Sequence, residues 1–134
     1  GRRGFVQYQF VLPKKESQTG IEKILSEASR SGPGSFLAVI KLCGPGNDNL
    51  MSFPIEGYSV ALDFKVVDGL FAHLETLDEL VMKYAGRIYL TKDARARSEV
   101  IAAGYPRLEE FRALRKERGM DRKFVSLQSQ RLEI

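Results

Sequence analysis

An α+β fold, a single antiparallel sheet with helices on one of its faces, is what this sequence predicts, and three observations predict it. Stretches of alternating apolar and polar residues and stretches of helical periodicity follow one another in the order β-α-β-β-α-β. The chain has 134 residues, a length for one domain, and folding at that size removes roughly two thirds of the unfolded surface from water. Hydrophobic residues make up 43%, charged ones 28%, and 12 Gly with 5 Pro are ordinary numbers, which excludes disordered and fibrous classes. This element order is that of the split βαβ, ferredoxin-like sandwich.

Residues 4 to 12 form strand one, with Val6, Tyr8, Phe10 and Leu12 on one side and Phe5, Gln7, Gln9 and Val11 on the other. After Pro13, Ile21, Ile24, Leu25 and Ala28 recur at helical spacing, with Ser17 or Thr19 as caps and Gly32, Pro33 and Gly34 as the stop. Phe36 to Leu42 and Tyr58 to Val66 are rich in β-branched and aromatic residues and form strands two and three. The loop 44 to 57 between them is long for a hairpin, as functional loops often are. Helix two follows Asp68 on the stripe Leu70, Leu74, Leu77, Val81 and Tyr84, and Gly86 closes it. Arg87 to Leu90 is a short fourth strand. Two further helices follow, the clearer opened by Tyr105-Pro106, with Glu109 and Glu110 in its first turn and Arg115, Lys116 and Arg118 ahead of Gly119.

The alternation sorts the sheet into two faces. Val6, Tyr8, Phe10, Phe36, Ala38, Ile40, Tyr58, Val60, Leu62, Phe64, Ile88 and Leu90 form the face that the helices cover. The second face carries Gln7, Gln9, Val39, Lys41, Cys43, Ser59, Ala61, Asp63, Arg87 and Tyr89. Amides, hydroxyls and charges on one flat platform suit a polyhydroxylated ligand, and they equally suit the wet side of a half-covered sheet.

Several classes of chemistry are excluded. Cys43 alone gives neither a disulfide framework nor a zinc knuckle, and a reducing compartment is expected; the lone His73 rules out a multi-histidine metal site. The net charge of +4 permits contact with phosphate without requiring it. There is no apolar run of membrane-spanning length, and no signal peptide is expected where Gly1, Arg2 and Arg3 lead straight into strand one. The first residue is not Met, and a piece of a longer polypeptide is expected. Arg3-Gly4-Phe5 opens like an RNA-binding motif, but Val6 and Gln7 stand where a small residue and a stacking aromatic are needed, so no nucleic-acid partner is expected. The basic run Arg112, Arg115, Lys116, Arg118, Arg122 and Lys123 reads as solvated helix faces. Gly44-Pro45-Gly46-Asn47 lacks the Lys-Ser/Thr of a phosphate loop and reads as a turn. His73 and Cys43 read as packed residues. What remains is the tip of strand four, where Tyr89, Lys92 and Asp93 are delivered close together and a cation is well placed to stabilise developing charge.

Several segments in register carry a family resemblance: Phe5 to Pro13, Phe36 to Lys41, Gly44-Pro45-Gly46-Asn47, Ser52-Phe53-Pro54, Gly86 to Asp93 and Tyr105 to Phe111. In this order and spacing they resemble the carboxy-terminal part of FAD-linked sugar oxidoreductases of the vanillyl-alcohol-oxidase type. The decaprenylphosphoryl-ribose oxidases are the nearest group and the aldonolactone oxidases a more distant one. The resemblance implies that residues 1–134 are the substrate, or cap, domain of a larger flavoprotein whose own amino-terminal domain holds most of the FAD. It implies substrate contacts for Gln7, Gln9, Lys41 and the position of Ser59, where the nearest relatives carry an amide. Tyr89 and Lys92 it places beside the flavin and the reacting carbon, as catalytic and cofactor-binding residues. The implied reaction oxidises a secondary alcohol of a sugar, a lipid-linked pentose or an aldonolactone-like compound, by hydride transfer to flavin. The isolated piece is expected to be inactive and to self-associate through its uncovered sheet face. A cytoplasmic location is expected, with membrane association if the substrate is lipid-linked. The alternative is a free-standing ferredoxin-like module binding RNA or a small ligand.

Overall fold

Residues 3–30 and 32–134 are described by the structure, a computed structural model; the reading of Gly1 and Arg2 as a direct approach to the first strand lies outside them. Strand β1 (Phe5–Pro13) runs into helix α1 (Lys14–Arg30), followed by strands β2 (Leu37–Cys43) and β3 (Gly57–Lys65), helix α2 (Leu70–Lys83) and strand β4 (Arg87–Ile88). The strands lie in the order β2-β3-β1-β4, antiparallel at every pair, which is the arrangement the split βαβ order demands. The β1–β3 pairing is the longest, from Phe5↔Lys65 to Pro13↔Gly57. Gly57 is obligatory at its end, because a Cβ there would fall 1.9 Å from the Leu12 carbonyl oxygen.

Helix α1 begins earlier than its cap-like residues suggest. Pro13, with its fixed φ, leads directly into Lys14, so Ser17 lies inside the first turns and donates back to the carbonyls of Leu12 (3.0 Å) and Pro13 (2.8 Å). Thr19 is an exposed helical residue rather than a cap. The end of α2 also departs from expectation. Ala85, at φ 51°, supplies the left-handed turn, and the N–H of Gly86 bonds the Val81 carbonyl at 2.9 Å. Gly86 is needed for close approach instead: a Cβ on it would sit 2.7 Å from the Val11 carbonyl oxygen.

The covered face holds as expected at the centre, where Phe10, Leu12, Val60, Leu62 and Phe64 are fully or almost fully buried against Ile24, Leu74, Leu77 and Val81. It does not hold at β2. Ile40 is 54% exposed, and Phe36 and Ala38 are exposed as well. Helix α1 packs on β1 and β3 and stops short of the outer strand, so both faces of β2 are open. The strand β4 is also shorter than expected. After Ile88, the Tyr89 N–H makes one more bond to the Gln9 carbonyl (2.8 Å), and the chain then leaves the sheet in a 3-10 turn over Leu90–Lys92.

Four short helices follow where two are expected: α3 (Ser98–Gly104), α4 (Leu108–Glu117), α5 (Met120–Lys123) and α6 (Leu127–Leu132). Pro106 lies in the turn before α4 and does not open it, since the Leu108 N–H bonds back to the Tyr105 carbonyl at 3.0 Å. Glu109 and Glu110 at one end of α4 and Arg115 and Lys116 at the other do match the helix dipole. Ile101, Tyr105, Leu108 and Leu132 join the same hydrophobic core as the sheet, so these helices are integral to the domain.

Candidate active site

The second face of the sheet is built by strand alternation. At its centre are Gln7 and Gln9 on β1, both half-buried, flanked by Asp63, Ala61 and Ser59 on β3 and then by Val39 and Lys41 on β2. Each glutamine is tied sideways to β3. The Gln7 amide donates to Asp63 Oδ1 at 2.7 Å, and the Gln9 amide donates to Ser59 Oγ at 3.0 Å. A carboxylate can only accept, so Asp63 fixes which way the Gln7 amide points and leaves its carbonyl oxygen free to accept from a ligand hydroxyl.

Ser59 is 2% exposed and lies beneath this layer, holding Gln9, while its register partner Lys41 is exposed on the edge strand. In register, Lys41, Ser59, Val11 and Arg87 run across all four strands, a span of about 14 Å from three strand spacings. The end of the face near β4 is closed by the loop 44–56. Phe53 is buried and stacks on Tyr89 with ring centroids 4.3 Å apart, and Arg87 donates to the Ser52 carbonyl at 2.7 Å, which leaves Val11 fully buried although it belongs to the second face. Arg87 also lies over the Tyr105 ring, 5.1 Å from its centroid.

Lys92 follows Tyr89 through the 3-10 turn. Its side chain is exposed, makes no ion pair or hydrogen bond among the described residues, and lines a cavity with room for about one water molecule at the edge of β1, between Gln7 and Gln9 of the second face and Tyr8, Leu74 and Ile88 of the covered one. Asp93 does not accompany it as an exposed partner. Its carboxylate is 2% exposed and accepts from the N–H groups of Arg95 (3.0 Å) and Ala96 (2.7 Å) and from the Arg131 guanidinium (2.7 Å). Burial opposes ionisation there, but Arg131 and the two backbone N–H groups prevail and hold the carboxyl below its ordinary value.

Behind the cavity lies a second charged group. The Asp78 carboxylate, with no exposure, accepts two bonds from Arg95 (2.6 and 2.7 Å) and one from the Tyr8 hydroxyl (3.0 Å). Burial pushes the Asp78 carboxyl up against the pull of Arg95, and burial beside that carboxylate pushes the Tyr8 hydroxyl well up. His73 is buried edge-on to Phe64, and its ring fills the space that a Cβ on Gly32 would need.

Gln7, Gln9 and Lys92 therefore line one small cavity, Tyr89 stands at the start of the turn that carries Lys92, Lys41 lies at the far edge and Ser59 underneath. Of the supporting residues, Asp63 and Asp93 were named in the sequence without these roles, and Asp78, Arg95, Gln128 and Arg131 were not among the candidates. Asp78 left a readable signal, since it is one helical turn from both Leu74 and Val81, inside the apolar stripe. Arg131 left none, being far from Asp93 in sequence. Among the described residues no group of acidic, histidine or cysteine side chains is arranged to hold a metal, and no helix is long and apolar enough to cross a membrane.

No protein-family model matches the chain. All 134 residues align at 41% identity with decaprenylphosphoryl-β-D-ribose oxidase of Mycolicibacterium smegmatis, covering 29% of that protein. A Streptomyces coelicolor protein described as uncharacterized, from the mprA 5′ region, is 35% identical over 96 residues, covering 25% of its length. The chain spans less than a third of these relatives' lengths, and over all of its own 134 residues it is similar to one part of decaprenylphosphoryl-β-D-ribose oxidase.

Proposed function

We propose that this chain is the substrate domain of an FAD-dependent oxidoreductase that oxidises a secondary alcohol of a sugar, with the flavin held mainly by a further domain of the same polypeptide. The observation that carries this reading is Lys92, a cation without an ionic partner among the described residues, at the sheet edge beside Gln7 and Gln9 and in the turn that begins at Tyr89. Such a face fits a flat ring: it is broad and only half-buried, and Lys92, with no ion pair among the described residues, follows the half-buried Tyr89, while Lys41 stands exposed at the opposite edge. FAD, when bound, supplies the two-electron acceptor for alcohol oxidation.

The chain's own residues do the rest. The free carbonyl oxygen of Gln7 accepts from a sugar hydroxyl, and Gln9, held by Ser59, fixes a neighbouring one. Lys41 binds at the far edge of the same row, where it can reach an anionic substituent of the substrate. Lys92 stabilises negative charge that develops as the alcohol proton leaves, and Phe53 stacked on Tyr89 keeps water from that end of the face. A phosphate-bearing, lipid-linked pentose is the substrate class that suits Lys41 and the family relationship, and such a substrate would bring the cytoplasmic enzyme to a membrane surface. The isolated chain is expected to be inactive and to self-associate through the open face.

The test is the absorption spectrum of the intact protein mixed anaerobically with candidate sugars. Bleaching of the oxidised-flavin band by a lipid-linked pentose supports the reading. An intact protein that contains no flavin, or a flavin that no sugar alcohol reduces, contradicts it.

A further inference from the structure

We propose that Asp93 is a positioning residue for Lys92, and that the carboxy-terminal helix α6 is the strap that sets it; this rests on the proposed catalytic role of Lys92. Among the described residues, Lys92 is tethered only by its backbone, through the bond from its N–H to the Tyr89 carbonyl at 3.0 Å. A 3-10 turn this short has poor intrinsic geometry and little stability of its own. What fixes it is the residue that follows. Asp93 Oδ1 caps the next turn by accepting from the N–H groups of Arg95 and Ala96, and Oδ2 accepts from Arg131 at 2.7 Å. From the same helix, the Gln128 amide donates to the Leu90 carbonyl at 2.7 Å, the first residue of the turn that carries Lys92.

The turn is therefore held from both ends by α6, Gln128 gripping its start and Arg131 its finish. Arg131 also donates to the Ala96 carbonyl, and on the far side Arg95 is anchored to Asp78. Helix α6 is itself fixed by the reciprocal Ser126–Ser129 cap and by fully buried Leu132. Asp93 is 2% exposed, so nothing in solvent can replace these bonds. A buried carboxylate with four donors, the Gln128 amide at 3.3 Å being the fourth, placed immediately after a free lysine, is an arrangement for aiming that lysine, because a displacement of about 1 Å at a reacting centre costs on the order of 100-fold in rate.

The experiment uses the full-length flavoprotein and measures the rate of flavin reduction per bound flavin at saturating substrate, with KM and flavin content recorded alongside. Four variants are compared: Asp93→Asn, Gln128→Ala, Lys92→Ala, and Asp93→Asn combined with Lys92→Ala. Asp93→Asn and Gln128→Ala are expected to slow flavin reduction about 10- to 100-fold, with KM and flavin content little changed. In the Lys92→Ala background, Asp93→Asn is expected to add no further loss, because it acts through the missing ammonium. Losses that multiply, or loss of bound flavin with a normal rate per flavin, overturn the positioning role. If Lys92→Ala alone reduces at the normal rate, the functional reading fails instead. Should Asp93→Asn not fold, Gln128→Ala with and without Lys92→Ala decides the matter by the same comparison.

Discussion

Replacing Arg95 by Ala isolates the buried charge that supports the site. In the native protein the Asp78 carboxylate has no exposure and Arg95 only 11%, and two bonds of 2.6 and 2.7 Å join them. Taking away one member of such a pair leaves an uncompensated buried charge, which costs about 3–5 kcal/mol. By comparison, Tyr8→Phe removes only one 3.0 Å bond to that carboxylate, worth about 1.5–3 kcal/mol.

The loss in Arg95→Ala depends on pH, with a definite sign. Burial already raises the Asp78 carboxyl above its unfolded value, and Arg95 is the chief group opposing that rise. Without Arg95 the folded state holds the proton still more strongly than the unfolded state. Stability therefore increases as the pH falls from the raised folded value toward the ordinary aspartate value, by up to about 1.4 kcal/mol per unit. Urea denaturation of the variant and the parent, near neutrality and at mildly acidic pH, measures both effects. A loss below about 1 kcal/mol at neutral pH, or a loss that grows on acidification, refutes the assignment of Asp78 and Arg95 as a buried pair.

Other consequences follow from particular contacts. Ala85→Gly relieves a left-handed residue at φ 51° and should stabilise the protein by about 0.5–1 kcal/mol, read as a higher midpoint in thermal unfolding. Gly86→Ala forces a Cβ to 2.7 Å from the Val11 carbonyl oxygen and should cost about 2 kcal/mol or more; an unchanged midpoint would contradict the close approach of α2 to β1. Asp93, whose carboxyl is held below its ordinary value, contributes stability that is complete above that ordinary value and lost as the pH falls through the folded one. Amide exchange in residues 90–96 should accordingly accelerate in acid beyond the intrinsic rate change in the native protein, and not in Asp93→Asn.

The parts of the fold that were legible in the sequence are those whose signal is local. The alternation of Val6, Tyr8, Phe10 and Leu12 predicts β1 and its buried side, and the stripe from Leu70 to Val81 predicts α2. The exposure of Ile40 was not legible, because β2 alternates like a buried strand and only the reach of α1 decides what covers it. The same division holds in the site. Strand periodicity put Gln7, Gln9 and Tyr89 on one face and the family resemblance added Lys92; the structure lines one small cavity with Gln7, Gln9 and Lys92. The bonds around that cavity pair Gln7 with Asp63, Tyr8 with Asp78 and Asp93 with Arg131, 56, 70 and 38 residues apart, and no spacing rule connects such distances. Ser59 shows the difference plainly: its place on β3 was readable, whereas its burial beneath Gln9 required the side-chain geometry.

The central claim is that Lys92 faces a bound flavin, and lysine acylation of the full-length protein with and without FAD tests it most directly. Lys92 should react readily in the flavin-free protein and much more slowly once FAD is bound, while Lys116, exposed on α4, reacts equally in both. Equal labelling of Lys92 in the two states would contradict the claim.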